Sequence, residues 1–249
     1  LIDCCNFTKE MIFSPSYFCF SSIYNKNWSL ALKGATILYT EMSPDIDWED
    51  DFNHWYDTHH IPVRTEIPGF IGAQRYRDPD RPTYLAIYEI SSPEIMESAP
   101  YKKVRAQPNA QSAWMLSNVE NYSRYVCNEI EAACNQEWSE KVLSSSFVYS
   151  VFYSVPDKSS EEFIGWNTEE FHPILLNSEH WQGVRLLEIS EGEPQPWTHL
   201  SINYLTNMDK AFDSSEFNAV TTTELYKKLS EETWFQSSSN VYERFGERF

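Results

Sequence analysis

Three of the chain's six histidines, His54, His59 and His60, fall in the stretch Asp51-Phe-Asn-His-Trp-Tyr-Asp-Thr-His-His-Ile-Pro62. An imidazole titrates near pH ~6.5, so it can take or give a proton under working conditions. Tyr56 stands four residues before His60, one helical turn away. A phenol there can donate a hydrogen bond to a developing enolate or carboxylate. The pair His60 and Tyr56 therefore suits decarboxylation, aldol-type cyclisation or isomerisation of an aromatic or polyketide-like substrate. His60 would act as acid/base and Tyr56 as donor, with no metal or other cofactor. The competing reading is a helix-end histidine hydrogen-bonded to backbone. Trp55, His59, Arg75 and Tyr88 are the candidate substrate-binding residues nearby. Trp55, like Trp166 and Trp181, also reads as core. Arg75, Arg77 and Arg124 could neutralise a substrate carboxylate or pair with nearby Glu.

Other chemistries are poorly supported. Asp50 and His54 are four apart and could share a helix face, but no second carboxylate–histidine element is spaced to complete a metal shell. There is no c-type haem attachment motif, no Gly-rich phosphate loop among the seven glycines, and no Gly-x-Ser-x-Gly elbow.

The elements that position these residues can be read from pattern. Ala35–Met42 is β-branched and aromatic and reads as a strand. Asp47 is a plausible N-cap for a helix from about Trp48 to Ile61. On that helix Phe52, Trp55, Tyr56 and His59 share one face, and His60 borders it. Pro62 marks the end of the regular helix. Ile67-Pro-Gly-Phe70 is a turn. Ile71–Arg77 and Thr83–Ile90 read as a hairpin. A second helical stretch starts at Pro93, breaks near Pro108 and resumes toward Leu116. Val119–Val126 alternates as a fourth strand. The order β-α-β-β-α-β is the ferredoxin-like pattern.

The pattern then repeats after ~110–120 residues. Val148–Pro156 echoes Ile37–Pro44, and Phe163, Trp166 and Pro173 echo Phe52, Trp55 and Pro62. Gly183 pairs with Gly72, with Arg185 near the place of Arg75. Trp197–Leu205 echoes Pro82–Ile90, and Asn240–Phe245 echoes Asn121–Tyr125. A single such unit leaves one sheet face, rich in Tyr, Ile and Leu, in water. Two units can close on each other. The expectation is therefore an α+β fold: two tandem ferredoxin-like modules, residues 34–127 and 147–249, closing as an internal α+β barrel. Residues 1–33 read as a poorly structured extension and 128–146 as a linker with a short helix. The chain is then a monomer by pseudo-dimer, and a further homodimer is compatible with it.

Composition narrows the partners. The chain has 249 residues, 41% apolar and 16% aromatic, which is ample for two cores. A formal charge of −18 repels phosphate backbones and anionic membrane surfaces, so neither nucleic acid nor membrane is an expected partner. A small-molecule ligand or substrate is. Five cysteines without a CxxC pair fit reduced thiols and a cytoplasmic location. No run approaches the length of a transmembrane helix.

The run Phe52-x-x-Trp55-Tyr56-Asp57-x-x-His60-Ile-Pro62, then Ile67-Pro-Gly-Phe70, Arg75-Tyr76 and Tyr84–Ile90, resembles the EthD-type, stress-responsive dimeric α+β barrel family. Ser98-Ala-Pro-Tyr101 and Asn121-Tyr-Ser-Arg124 fit its second half. The resemblance covers residues 34–126 well and 147–249 weakly. It implies the barrel fold and a role for His60, the family's helix-end histidine. The superfamily hosts decarboxylases, cyclases, monooxygenases, isomerases, lyases and haem enzymes, so it implies no single reaction. In the second repeat Phe171 takes the place of His60. His172 is one residue out of register, about 100° round a helix. The chain thus keeps this histidine in one half only. Three functions follow as expectations: a cofactor-independent lyase, cyclase or isomerase; a non-catalytic ligand-binding or stress-response protein with its first half packed shut; or a cofactor-free monooxygenase.

Overall fold

The structure, a computed structural model, describes residues 32–235 and 238–249. Nearly all of the expected extension, with Cys4, Cys5 and Cys19, lies outside the described residues. Eight strands alternate with short helices: β1 (Thr36–Ser43), α1 (Glu49–Trp55), α2 (Pro62–Thr65), β2 (Phe70–Arg77), β3 (Tyr84–Ile90), α3 (Ala99–Ala106), α4 (Ala110–Asn118), β4 (Glu120–Cys134), α5 (Glu140–Leu143), β5 (Phe147–Tyr153), α6 (Asp157–Trp166), α7 (His172–Leu175), β6 (Trp181–Glu193), β7 (His199–Leu205), α8 (Met208–Phe212), α9 (Ser215–Val220), α10 (Glu224–Ser230) and β8 (Ser238–Phe245).

The strands form one closed barrel in the order β1-β3-β2-β8-β5-β7-β6-β4. Cut at its two seams, this is β4-β1-β3-β2 and β8-β5-β7-β6, the ferredoxin-like order twice, with every neighbour antiparallel. The expected internal barrel is present. Closure removes all free sheet edges, the feature that otherwise invites association. The seams differ. β2 and β8 share only Arg75↔Phe245, Tyr76↔Arg244 and Arg77↔Glu243, extended by Ala73 and Phe249 exchanging backbone hydrogen bonds of 3.1 and 2.9 Å. β4 and β6 pair from Arg124↔Glu193 to Cys134↔Gly183. Residues 128–134, read from sequence as the start of a linker, are thus strand: the long β6 edge needs a partner, and β4 supplies it. The short helix expected in this segment is α5.

Side chains alternate across each strand, as a closed sheet requires. Ile37, Tyr39, Tyr76, Leu85 and Ile87 fill the lumen with Val148, Ile202, Tyr204 and Tyr242 of the second half. Leu38, Met42, Ala86 and Tyr88 point outward under the first half's helices. Val151, Tyr153, Val184 and Leu186 do so under the second half's. The same alternation corrects one expectation. Arg75 pairs with Ala86 and Leu186 with the equivalent Ser201, so Leu186 is the counterpart of Arg75. Arg185 is one residue off and points into the lumen, where it binds Glu89 at 2.8 Å and Glu129 at 2.9 Å.

The helix that carries the histidines departs from its expected form in two ways. Asp45, not Asp47, is the capping residue: its carboxylate accepts from the Asp47 amide at 2.9 Å and opens a short 3-10 turn, Ile46–Trp48. At the other end the chain does not stop at Pro62. Residues Tyr56–His60 form a π turn, closed by Ile61 N–H donating to Tyr56 O at 3.0 Å, and α2 follows with Pro62 in its first turn. A proline inside a regular helix lacks one N–H and crowds the carbonyl four residues back. The wider turn before it relieves both, and Pro is well placed at the start of the next segment. The second half repeats the device with Asn167–Phe171 ahead of Pro173.

Candidate functional site

The π turn decides which histidine faces inward. In a regular helix each residue advances ~100°, which places His59 among the apolar residues and His60 at their edge. A wider turn advances each residue less. His60 swings into the row of Phe52, Trp55 and Tyr56 and is buried, while His59 moves to the half-buried rim. π turns of this kind are frequent at functional sites.

His60 is only 4% exposed. Its ring lies 4.3 Å from that of Trp55 and 4.6 Å from that of Tyr56, centre to centre. Burial holds its pKa well below the ordinary histidine value, and the charges of Arg64, His59 and Arg75 push it further down. The ring is therefore neutral at pH 7. Arg64 is fixed beside it by donating from Nη1 to the His60 carbonyl at 2.9 Å. Among the described residues nothing hydrogen-bonds the His60 ring, so the expected alternative, a histidine tied to backbone, is not what is seen. The ring instead forms part of the wall of a cavity of about 310 Å³ between the first sheet and its helices. That size is at the lower end for small-molecule sites.

The cavity floor is Leu38, Thr40, Met42 and Tyr88 from β1 and β3. Its roof is Tyr101 and Val104 from α3, and Asn109, Ser112 and Leu116 at α4. Three arginines, Arg64, Arg105 and Arg124, also line it, and no Asp or Glu among the described residues does. Tyr88 Oη is 3.4 Å and Thr40 Oγ1 3.3 Å from Tyr56 Oη, so the three hydroxyls form one chain.

The six residues singled out from sequence separate into two groups. His60, His59 and Tyr88 are on the cavity wall. Asn109 Nδ2 lies 3.0 Å from His59 Nε2 and steadies it at the rim. Tyr56, Trp55 and Arg75 stand behind the wall. Tyr56 reaches the cavity through Thr40 and Tyr88. Trp55 supports one face of His60 and donates from Nε1 to Ser112 Oγ at 3.1 Å. Arg75 binds Asp57 Oδ1 at 2.7 Å and Asn53 Oδ1 at 2.6 Å, and its guanidinium sits 4.4 Å from the Tyr56 ring centre. It fixes the helix and the phenol instead of facing a ligand. Thr40, Arg64, Arg105 and Ser112 were not singled out from sequence. Two had a signal: Thr40 is a polar residue at an otherwise apolar strand position, and Arg64 follows His60 by one helical turn. Among the described residues no cluster of three or more His, Cys, Asp or Glu could hold a metal ion, and no helix is long and apolar enough to cross a membrane.

No protein-family model matches the chain. No curated protein matches it either. Solved structures do. An anthrone oxidase-like protein superposes with a TM-score of 0.62 at 11% identity, covering 86% of this chain and 92% of its own. A monooxygenase-type protein from Fusobacterium nucleatum subsp. nucleatum superposes at 0.51, with 13% identity over 85% of this chain and 92% of its own. One from Lactobacillus acidophilus NCFM does so at 0.51, with 15% identity over 85% and 93%. At such identities the likeness is one of fold. It supports the barrel and is not specific to the EthD-type family.

Proposed function

We propose that the chain is a small-molecule enzyme in which His60 removes a proton from an aromatic or polyketide-like substrate held in the first-half cavity. The observation that carries this reading is a buried, uncharged imidazole on a cavity wall, with no hydrogen bond to its ring among the described residues. A substrate held in the cavity can therefore reach the ring directly.

The chemistry follows from the surroundings. A neutral ring is ready to accept a proton without first losing one. Charge left on the substrate oxygen would meet the hydroxyls of Tyr88 and Thr40, with Tyr56 behind them as relay. Burial disfavours the imidazolium, so His60 returns the proton readily. Return to a different atom is isomerisation, and aldol closure of the same anion gives cyclase activity; a lyase would reach a like anion from the other side, by loss of carbon dioxide from a β-keto carboxylate, the carbon then taking a proton from solvent. None of these steps draws on a bound metal or flavin.

A second reading is favoured by the likeness to an anthrone oxidase-like protein: the anion reacts with O₂ instead. For anthrone the balance is one O₂ consumed, one oxygen placed on the methylene carbon as a carbonyl, and the other released as water with the two methylene hydrogens. Anthrone itself is the probe that separates the readings. In D₂O without air, wild type should accelerate exchange of the methylene protons, and His60→Phe should not. In air, uptake of O₂ with anthraquinone formation marks the oxygenase branch. Equal exchange by wild type and His60→Phe would refute the role of His60. Binding without exchange or turnover would favour the non-catalytic binder.

A further inference from the structure

In a chain of net charge −18, the cavity is lined by three arginines and, among the described residues, by no carboxylate. Chance does not readily give that composition, and each cation near a buried imidazole makes proton transfer harder to tune. Arg124 is the most enclosed of the three, 5% exposed. Its Nη2 donates to Tyr101 Oη at 3.3 Å and its Nη1 to Glu191 Oε1 at 2.7 Å. Arg105 approaches the same Glu191 oxygen at 3.8 Å. Glu191 is on β6, in the other half of the molecule, and its side chain is 51% exposed. It is not part of the cavity wall. One half-exposed carboxylate therefore holds two arginines at the mouth of the cavity.

Resting on the proposed role of the cavity, we infer that its ligand carries a carboxylate, which takes the place of Glu191 on Arg124 and Arg105 while the ring system reaches His60. A guanidinium offers five N–H donors in a fixed fork and pairs well with a flat carboxylate. Glu191 has solvent to move into, so release of its oxygen leaves no buried charge behind. Arg64, held at the His60 carbonyl at 2.9 Å, is the arginine beside the ring, where a negative enolate or phenolate would form. The cavity thus offers a guanidinium pair for an acid group and a third arginine beside His60 for the anion formed there. Glu191, from the second half and outside the cavity wall, is the stand-in for the ligand's acid group.

The test compares 6-hydroxy-2-naphthoate with its neutral carboxamide by isothermal titration, on wild type, Arg124→Gln and Glu191→Gln. Wild type should bind the acid at least about tenfold more tightly than the amide. Arg124→Gln should abolish that preference and leave amide binding within about threefold. Glu191→Gln is at a half-exposed position and keeps the test decisive even if Arg124→Gln does not fold. It removes the competing charge, so acid binding should tighten severalfold while amide binding stays unchanged. Equal binding of acid and amide by wild type, no binding of either, or no response of the acid to Glu191→Gln would each overturn the inference. Failure of the proposed catalytic role shows elsewhere, as anthrone exchange that survives His60→Phe.

Discussion

The two halves of the molecule share strand order, alternation and even the π turn before a proline, yet the space between sheet and helices is about 310 Å³ in one and about 80 Å³ in the other. The difference lies in side chains, not backbone. Where the first half has His60, Tyr56, Tyr88 and Thr40, the register puts Phe171, Asn167, Asn203 and Val151 in the second. Phe171 lies against Trp166, ring centres 4.7 Å apart, as His60 lies against Trp55. Phe217, Tyr226 and Phe235 line the small cavity of the second half, where Ser112, Asn109 and Val104 line the larger one of the first. Aromatic rings gain from burial and from edge or tilted contact with each other, so the second half is the same scaffold packed for stability. The first has given up part of that packing to keep a polar chamber.

The largest effect should come from copying the closed half into the open one. His60→Phe removes the base, and general base catalysis contributes about 10²–10⁴-fold. Anthrone exchange or turnover should drop by that amount. The fold should survive, because the second half already accommodates Phe at this position. A denaturation midpoint at or above wild type is expected. A sharp loss of stability would mean that the halves are not equivalent at this site.

The reverse swap should be smaller. Phe171→His buries an imidazole where there is little room and no substrate, beside Trp166. An unpartnered buried polar group costs about 1–3 kcal/mol. For a chain of this size that lowers Tm by ~2–4 °C per kcal/mol. No second activity should appear. Gain of turnover from this variant would show that the histidine alone, and not the chamber, distinguishes the halves.

Smaller again is the loss of one hydroxyl. Tyr88→Phe breaks the chain from the cavity to Tyr56 but keeps the ring against Phe70. Turnover should fall about tenfold if Tyr88 donates to a developing oxyanion, with little change in ligand affinity. A change confined to affinity would make Tyr88 a binding residue only.

Much of this was legible beforehand because repeats and alternation are carried by residue type. Strand order, the tandem barrel and the asymmetry of His60 and Phe171 all follow from period and from echoes between halves. What sequence could not supply was register at the level of one residue. A π turn leaves no mark in composition, yet it moved His60 inward and His59 out. Arg185 stands near the place of Arg75 in the sequence, but strand pairing sends the two to opposite faces of the barrel. Residues 128–134 look like linker because they are polar, and they are strand because the long β6 edge would otherwise lie open. Arg124 and Glu191 meet only once the barrel closes.

The finest distinction between the halves is electrostatic. His60 is neutral in the folded chain because burial, with Arg64, His59 and Arg75 nearby, lowers its pKa; in the unfolded chain it titrates near ~6.5. Below pH ~6.5 the unfolded state therefore binds a proton that the folded state refuses. Stability falls as pH drops, with a slope of at most about 1.4 kcal/mol per pH unit from this group, until the folded value is reached. Phe171 has no such term, and His60→Phe should lose it in the first half too. His199, whose pKa burial also lowers, is present in both proteins and cancels. Urea unfolding at pH 7, 6 and 5 should show a constant gap between variant and wild type above pH ~6.5 and a widening gap in the variant's favour below it. Parallel curves would mean that His60 charges freely in the folded protein, which is incompatible with a buried neutral base at the cavity wall.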